Sequence, residues 1–540
     1  MHEPEPRRRT APTPLSDADE RVRAAELIAA LSLATDLGTG LPLEHGLEST
    51  LFAMRLGERL GIDDDVARQT YYACLLFYIG CTAEAEITAE LFPGDDALVT
   101  HFTPVMFGSP RELLAGLMRA VAVPGTGPLT RALRILRTLP RAALEERRHS
   151  AAICEVARML TRRLGLPASV QALFVGFTER WDGKGAPHGL AGDEIPLPVR
   201  ITHVARDAAF HRMLGGHERA ARVVRERAGR AFDPEVAACL ADNAAEILVR
   251  DPTASAWDRT LAREPRPHVV LRGAAIDRAL AAMGDFADLI SPHLSGHAAR
   301  VCSLADVAAR RYGLGESDAV ACRRAACVHD LGRVAVPARI WNKPDALTAD
   351  EWERVRLHAY HSERFLLRSP FLAGLGAIAG RHHERLDGSG YHRGAAAPAI
   401  PHAARLLAVA DGYTAMTAPR PHRPAIPPGR AAEILGREVA AGRLDADAVA
   451  AVLDAAGQPT PALERPAGLT EREAEVIGLL ARALKTKQIA RTLGISAKTA
   501  DRHIQNAYRK IGVSTRVAAA LFAMEHGLVT WGDFPIVRGR

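Results

Sequence analysis

A divergent internal repeat constrains this 540-residue chain more than any other feature, because whatever fold one copy adopts the other must approximate. His45 precedes Gly61 by 16 residues, and His297 precedes Gly313 by 16. Sixteen residues further on, Phe77-Tyr78-Ile79-Gly80-Cys81 falls opposite His329-Asp330-Leu331-Gly332-Arg333. FTERWDGKGAPHG (177–189) then aligns without a gap to HHERLDGSGYHRG (382–394), and Arg206 falls opposite Asp411. Last, AGRAFDPEVAACL (228–240) resembles AGRLDADAVAAVL (441–453). The interval from His45 to Glu179 is 134 residues and that from His297 to Glu384 is 87, so the first copy carries an insertion, expected near 92–140.

Apolar residues recur at three and four in 301–312, 352–367 and 403–416, and no strand-length alternation persists. That periodicity predicts an all-α fold. The expected organisation is a disordered tail (1–20), a first copy (21–250), a second copy (268–457), a Pro-bearing linker QPTPALERPAG (458–468) and a last segment (469–540). EPRPH (264–268) is read as the join between copies. No apolar run reaches the roughly 18 residues of a membrane span. The N-terminal arginines are not followed by an apolar stretch, so no secretory signal is expected. The seven cysteines include no C-x-x-C pair, so a disulfide framework is not expected and a cytoplasmic setting is.

Histidine is concentrated in the second copy, where ten of the 21 lie within 293–422. His329 and Asp330 are adjacent, His297 precedes them, and His358, His382-His383 and Asp411 follow on further predicted helices that can converge. A carboxylate such as Asp330 can bridge two cations while imidazoles cap each side. Such a donor set suits iron, manganese, zinc or nickel rather than magnesium or calcium. Two metals about 3.5–4 Å apart can clamp a phosphoryl group and bring the pKa of bound water to about 7.

Over about 285–455 the chain resembles the HD-GYP family of the HD-domain phosphohydrolases. The matching motifs are HDLGR (329–333), His358 in RLHAYH, HHERLDGSGY (382–391) and ADGYTAMTAPRPHR (410–423). The resemblance implies an all-helical fold, two divalent metal ions, iron or manganese, and hydrolysis of cyclic di-GMP. It implies His297, His329, Asp330, His358, His382, His383 and Asp411 as metal ligands. It makes Asp330 and Arg333 catalytic, and Arg333, Arg420 and Arg423 phosphate contacts, a task that suits a guanidinium. Several positions depart from the family. His392 replaces the G-Y-P proline, Arg333 a lysine, Thr414 the second aspartate of D-x-x-D-A, and His422 the tyrosine of R-P-Y-R. Three-metal members carry a glutamate where His293 stands, so two ions are expected rather than three, with His293 still able to ligate. These departures leave the substrate open between a cyclic dinucleotide and another phosphorylated ligand.

The first copy lacks this chemistry: Phe77-Tyr78 stands for His-Asp, Phe177-Thr178 for His-His, and Arg206 for the last aspartate. It is expected to be degenerate and non-catalytic, with a packing role.

From 469 the pattern changes. LTERE offers a capping box, Thr470 with Glu473, ahead of a helix at 471–483. Helices at 486–493, 497–511 and 516–526 follow, the second ending at Gly494, which is a helix-turn-helix plan. Four of the chain's six lysines lie between 485 and 510. LTEREAEV, KQIARTLGIS, KTADRHI, YRKIGV and AALFAMEHGL resemble the LuxR-type C-terminal helix-turn-helix domain. That resemblance implies double-stranded DNA as partner, a homodimer, and contacts from Lys487, Lys498, Thr499, Arg502, His503 and Lys510. Ala500 replaces a usual valine, and Asp501 stands where a basic residue is common. The expected function is a transcriptional regulator whose metal-dependent phosphodiesterase domain hydrolyses or senses a phosphorylated ligand. The alternative is a non-catalytic sensor whose HD domain only gates DNA binding.

Overall fold

The computed structural model describes residues 20–80, 100–101, 103–121, 150–251, 253–459, 466–481, 484–525 and 528. The expected tail (except Glu20), most of the expected insertion, part of the linker and the C-terminal end lie outside the described residues. The chain divides into two compact units. One comprises residues up to Cys302 with Arg324–Gly380 and Pro421–Arg423; the other comprises Ser303–Arg323, Arg381–Arg420 and Pro424 onward. Among the described residues no helix is long and apolar enough to cross a membrane.

The larger unit shows the repeat from its first residues. Arg21–Arg23 pairs antiparallel with Val270–Arg272, and each strand leads into a 15-residue helix, Ala24–Gly38 and Ala274–Asp288. Three-residue strands are too short to leave an alternating pattern, so periodicity did not reveal them. The helices His45–Leu60, Asp64–Leu75, Leu197–Arg227 and Pro234–Asp242 enclose a core that includes Phe52, Leu56, Val204, Val224, Phe232 and Leu240. Helix Leu197–Arg227 breaks at Gly215-Gly216, where Gly216 has φ 77°, a left-handed conformation open to glycine. EPRPH is not a loose join. Glu264 is buried, accepts a hydrogen bond from the Tyr72 hydroxyl (2.6 Å) and pairs with Arg23 (3.1 Å).

The same unit carries the turn Leu331–Ala335 and the helices Ala349–Leu366 and Pro370–Ala379. Helix Ala349–Leu366 starts on a capping box formed by Thr348 and Glu351. Helix Ala24–Gly38 packs on the turn and on Ala349–Leu366, and is fastened there by Ser369 Oγ donating to Glu26 (2.6 Å). The expectation of no disulfide framework did not foresee one pair. Cys302 and Cys327, 25 residues apart, are joined with Cα atoms 5.1 Å apart. Helix packing brings them together, a proximity that spacing along the chain does not encode.

In the smaller unit, helices His402–Thr417, Pro428–Ala440 and Ala446–Ala455 pack together. Arg405 Nη1 pairs with Asp445 (3.1 Å), the residue that caps the third of them. Residues 469–525 form helices Glu471–Ala481, Thr486–Thr492, Ala497–Ile511 and Arg516–Glu525 around their own core, including Val476, Ile477, Ile489 and Ile504. The fold is all-α, with the helix-turn-helix where the sequence placed it.

Candidate metal centre and DNA-binding face

The dyad sits where a helix ends. Glu316–Val328 stops just before His329, and the chain turns tightly through Leu331–Ala335. Gly332 makes the turn possible: a Cβ there would lie 2.1 Å from the His358 carbonyl, and its N–H donates to Ser362 Oγ (2.8 Å). Three imidazoles then face one carboxylate. His329 Nε2 is 2.8 Å from Asp330 Oδ2, His297 Nε2 is 3.4 Å from Oδ2, and His358 Nε2 is 3.3 Å from Oδ1. All four side chains are buried. His329 Nδ1 donates to the Ala326 carbonyl (2.8 Å) and His358 Nδ1 to the Val355 carbonyl (2.5 Å). Such bonds fix the tautomer that leaves Nε2 as a lone-pair donor, the usual outer support of a metal-binding histidine. Burial works to raise the Asp330 carboxyl, but the Arg333 guanidinium, His329 and His297 outweigh it and hold the group well below the ordinary carboxylate range. It is therefore an anion at neutral pH.

Arg333 lies on this anion, with Nη2 2.5 Å from Asp330 Oδ2 and 3.3 Å from His297 Nε2. Trp341 backs it, the guanidinium carbon lying 5.6 Å from the ring centroid. Asp288 was not singled out by sequence reasoning. It is buried, and its Oδ2 accepts from the Ala298 N–H (2.9 Å), next to His297. Burial raises its carboxyl to about 6, against Arg333 and that amide bond. The repeat held the signal: Asp36 accepts from the Gly46 N–H (3.0 Å), beside His45, in the same arrangement.

His382 and His383 stand in the turn after helix Pro370–Ala379, not on a helix as expected, with ring centroids 4.0 Å apart. Tyr391 stacks on His383 at 4.6 Å. Asp411 is buried on helix His402–Thr417. Within the larger unit, His297, His329 and Asp330 have the composition and spacing of a candidate metal site, with donor atoms within 4.8 Å of one another. His293 is exposed and is not part of that group. Arg420 and Arg423 are half-buried in the segment after helix His402–Thr417, where burial lowers the pKa of Arg423.

The loop after the histidine pair is built by a carboxylate. Glu384 is buried and accepts from the Arg393 (2.7 Å) and Ala395 (2.8 Å) N–H groups. In the first copy Glu179 accepts from the aligned His188 (2.7 Å) and Leu190 (3.1 Å) N–H groups. Both loops hold a cis peptide at the aligned place, Ala186-Pro187 and Tyr391-His392. Where the dyad would stand in the first copy, the rings of Phe77 and Tyr78 lie against Arg206, with the guanidinium carbon 4.7 and 4.0 Å from their centroids. The arginine pair's segment is also missing there. Ala228 follows Arg206 by 22 residues, but Ala441 follows Asp411 by 30, and the short connection is the Gly215-Gly216 break.

In the C-terminal segment the expected capping box forms: Glu473 accepts from the Thr470 N–H (2.8 Å) and Thr470 Oγ1 from the Glu473 N–H (3.3 Å). Ser496 caps helix Ala497–Ile511 through the Thr499 N–H (3.0 Å). Lys487, Lys498 and Arg502 are exposed, and Thr499 and His503 are half-buried. Lys510 has a second commitment: its ammonium pairs with Glu473 (2.7 Å) and donates to the Gly468 carbonyl (3.0 Å). Ala500 points into the core, so its departure from valine leaves the outer face unchanged, whereas Asp501 is exposed on that helix.

An all-helical fold with a histidine–aspartate turn at a buried anion, followed by a helix-turn-helix, defines an HD-domain protein with a DNA-binding tail. The HD domain family matches residues 131–236 and 282–448, together just over half of the chain. The family described as bacterial regulatory proteins, luxR family, matches 467–523. The chain belongs to the HD-domain family and ends in a LuxR-family domain. It is similar to 3'3'-cGAMP-specific phosphodiesterase 3 of Vibrio cholerae serotype O1, 28% identical over 444 residues, covering 78% of this chain and 92% of that protein. It is 35% identical over 166 residues to 3'3'-cGAMP-specific phosphodiesterase 1 of the same organism, covering 30% of this chain and 38% of that one. A cyclic di-GMP phosphodiesterase of Thermotoga maritima is 40% identical over 129 residues, covering 24% of this chain and 35% of that protein. A crystal structure of a cyclic GMP-AMP specific phosphodiesterase of V. cholerae superimposes with a TM-score of 0.55 at 25% identity, covering 81% of this chain and 98% of that one.

Proposed function

We propose that this chain is a cytoplasmic, dimeric transcriptional regulator whose second copy, 268–457, is a metal-dependent phosphodiesterase acting on a cyclic dinucleotide. The observation that carries the reading is the convergence of three imidazole Nε2 atoms on the Asp330 carboxylate, with two of the rings tied back through Nδ1. The donor set fits two divalent ions, iron or manganese, held by His297, His329, Asp330, His358, His382, His383 and Asp411. When bound, such ions neutralise phosphoryl oxygens and make water acidic enough to act as a nucleophile at neutral pH. Arg333, already poised on the ligand cluster, would meet a non-bridging phosphate oxygen and stabilise charge as it develops. Arg420 and Arg423 would hold the second phosphate. The names of the relatives point to a cyclic dinucleotide as substrate class.

Two measurements test this. The purified chain is expected to contain iron or manganese and to hydrolyse 3'3'-cGAMP or cyclic di-GMP, with turnover falling at least about a thousandfold in His329→Ala/Asp330→Ala. Undiminished turnover in that variant removes the site. Bound metal without turnover in the wild-type chain favours the sensor reading, which the departures at His392, Thr414 and His422 support. For the tail, Arg502→Ala should weaken DNA binding by about tenfold and flatten its salt dependence by about one unit of slope. Lys510→Ala should loosen the domain as well as its DNA contact, because it also cuts the Glu473 bridge.

A further inference from the structure

We propose that Cys302 and Cys327 form a reversible redox clamp that controls how firmly the second copy holds its metal. The inference rests on the metal reading above. Cys302 lies five residues after His297 on helix His297–Tyr312, and Cys327 lies two residues before His329, in the last turn of Glu316–Val328. Their Cα atoms are 5.1 Å apart, within the span a disulfide requires. The bond therefore ties the helix that presents His297 to the helix that presents His329 and Asp330. The closed loop, 302–327, contains none of the proposed ligands but is flanked by these three, so the clamp acts on their relative position.

The comparison inside the chain supports a role tied to chemistry rather than to the fold. The aligned positions in the first copy are Thr50 and Leu75. That copy builds the corresponding helices, His45–Leu60 and Asp64–Leu75, without a cross-link. Cys74, Cys154, Cys239 and Cys322 are free. In a chain that works on DNA in a reducing compartment, a disulfide is expected to be regulatory rather than permanent. Cys302 is half-buried and Cys327 is buried, so Cys302 is the entry point for an oxidant. A small-molecule disulfide supplies the balance. The Cys302 thiolate attacks it and releases one small thiol, and the Cys327 thiolate then displaces the second. Two electrons pass from the cysteine pair to the oxidant, and the two cysteine protons end on the two released thiols.

The test uses the full chain loaded with Mn2+. It is equilibrated with oxidised glutathione or with dithiothreitol, alkylated and mapped by mass spectrometry, and Mn2+ loss to EDTA is timed in parallel. The expected result is a 302–327 linkage in the oxidised sample alone, with metal loss several-fold slower than in the reduced sample. Cys302→Ser and Cys327→Ala, made separately so that one failing to fold does not end the test, should lose metal at the reduced rate under both conditions. A pair that stays reduced in the folded chain, or equal metal loss in both states, overturns the proposal. If the chain retains no Mn2+ in either state, the metal reading fails on its own. The clamp is then judged by mapping and by the thermal midpoint, expected several degrees higher when oxidised, and an unchanged midpoint overturns it.

Discussion

The two helical regions, 24–247 and 274–455, are built alike but balance their buried charge differently. Each buries an aspartate that accepts from the amide after the first histidine, Asp36 with Gly46 and Asp288 with Ala298. Each carries a glycine where a Cβ would strike a carbonyl of a later helix, Gly80 against Ile153 (2.3 Å) and Gly332 against His358 (2.1 Å). Each hangs its ERxDGxG loop on a buried glutamate. These residues serve the fold, since the region without the ligands has them too. The difference lies in what faces the buried arginine of each region. In the second region a buried anion faces imidazoles suited to metal. In the first, the Arg206 guanidinium brings its own positive charge beside two aromatic rings, an arrangement that holds a desolvated cation. Each region carries an arginine in its own sequence, but Arg206 lies against rings whereas Arg333 lies on a carboxylate ringed by imidazoles.

The largest effect expected from breaking this comparison comes at the shared glycines. Gly332→Ala and Gly80→Ala should each destabilise their region by more than about 4 kcal/mol, because backbone must move to admit the methyl group. In calorimetry both should lower a transition, but only Gly332→Ala should also reduce bound metal. Equal metal loss from Gly80→Ala would show that the regions do not divide fold from chemistry in this way.

A smaller effect is expected at the internal cation. Arg206→Met should destabilise the first region by about 3 kcal/mol, by removing a buried charge that favours the Asp36 carboxylate. Metal content and turnover per folded molecule should not change. Metal gained or lost in that variant would place Arg206 in the chemistry of the chain.

The last test is a pH effect. Burial raises the Asp36 carboxyl to about 7, against Arg206 and the Gly46 amide. Burial and Arg206 lower His45 to about 3. With its folded-state pKa above the unfolded value, Asp36 subtracts stability as pH climbs from about 4 to 7, because the unfolded chain releases that proton first. Asp36→Asn retains an acceptor for Gly46 and removes the titration. Its stability relative to wild type should rise across that window, by at most about 1.4 kcal/mol per pH unit, as read from denaturant midpoints at several pH values. The His45 contribution falls as pH drops from about 6.5 toward 3 in both proteins and cancels in the difference. A flat difference would mean that Asp36 is already ionised at pH 5.

The sequence by itself determined the repeat, the helical class, the histidine–aspartate dyad and the DNA-binding tail, because each is written in local spacing: a 3.6-residue period, a capping box, two motifs aligned without gaps. It also showed where the two copies differ in chemistry, since Phe77-Tyr78 and Arg206 are identities read directly from the chain. Tertiary structure decided what depends on separate segments meeting. It supplied the strand pair that opens the two copies, the packing of Glu264 in a segment that reads as a linker, and the Lys510 bridge to Glu473. It alone joined Cys302 to Cys327. It also turned Arg206 from a missing ligand into a substitute cation, because charge, burial and ring contact at one point are properties of packed neighbours and not of sequence order.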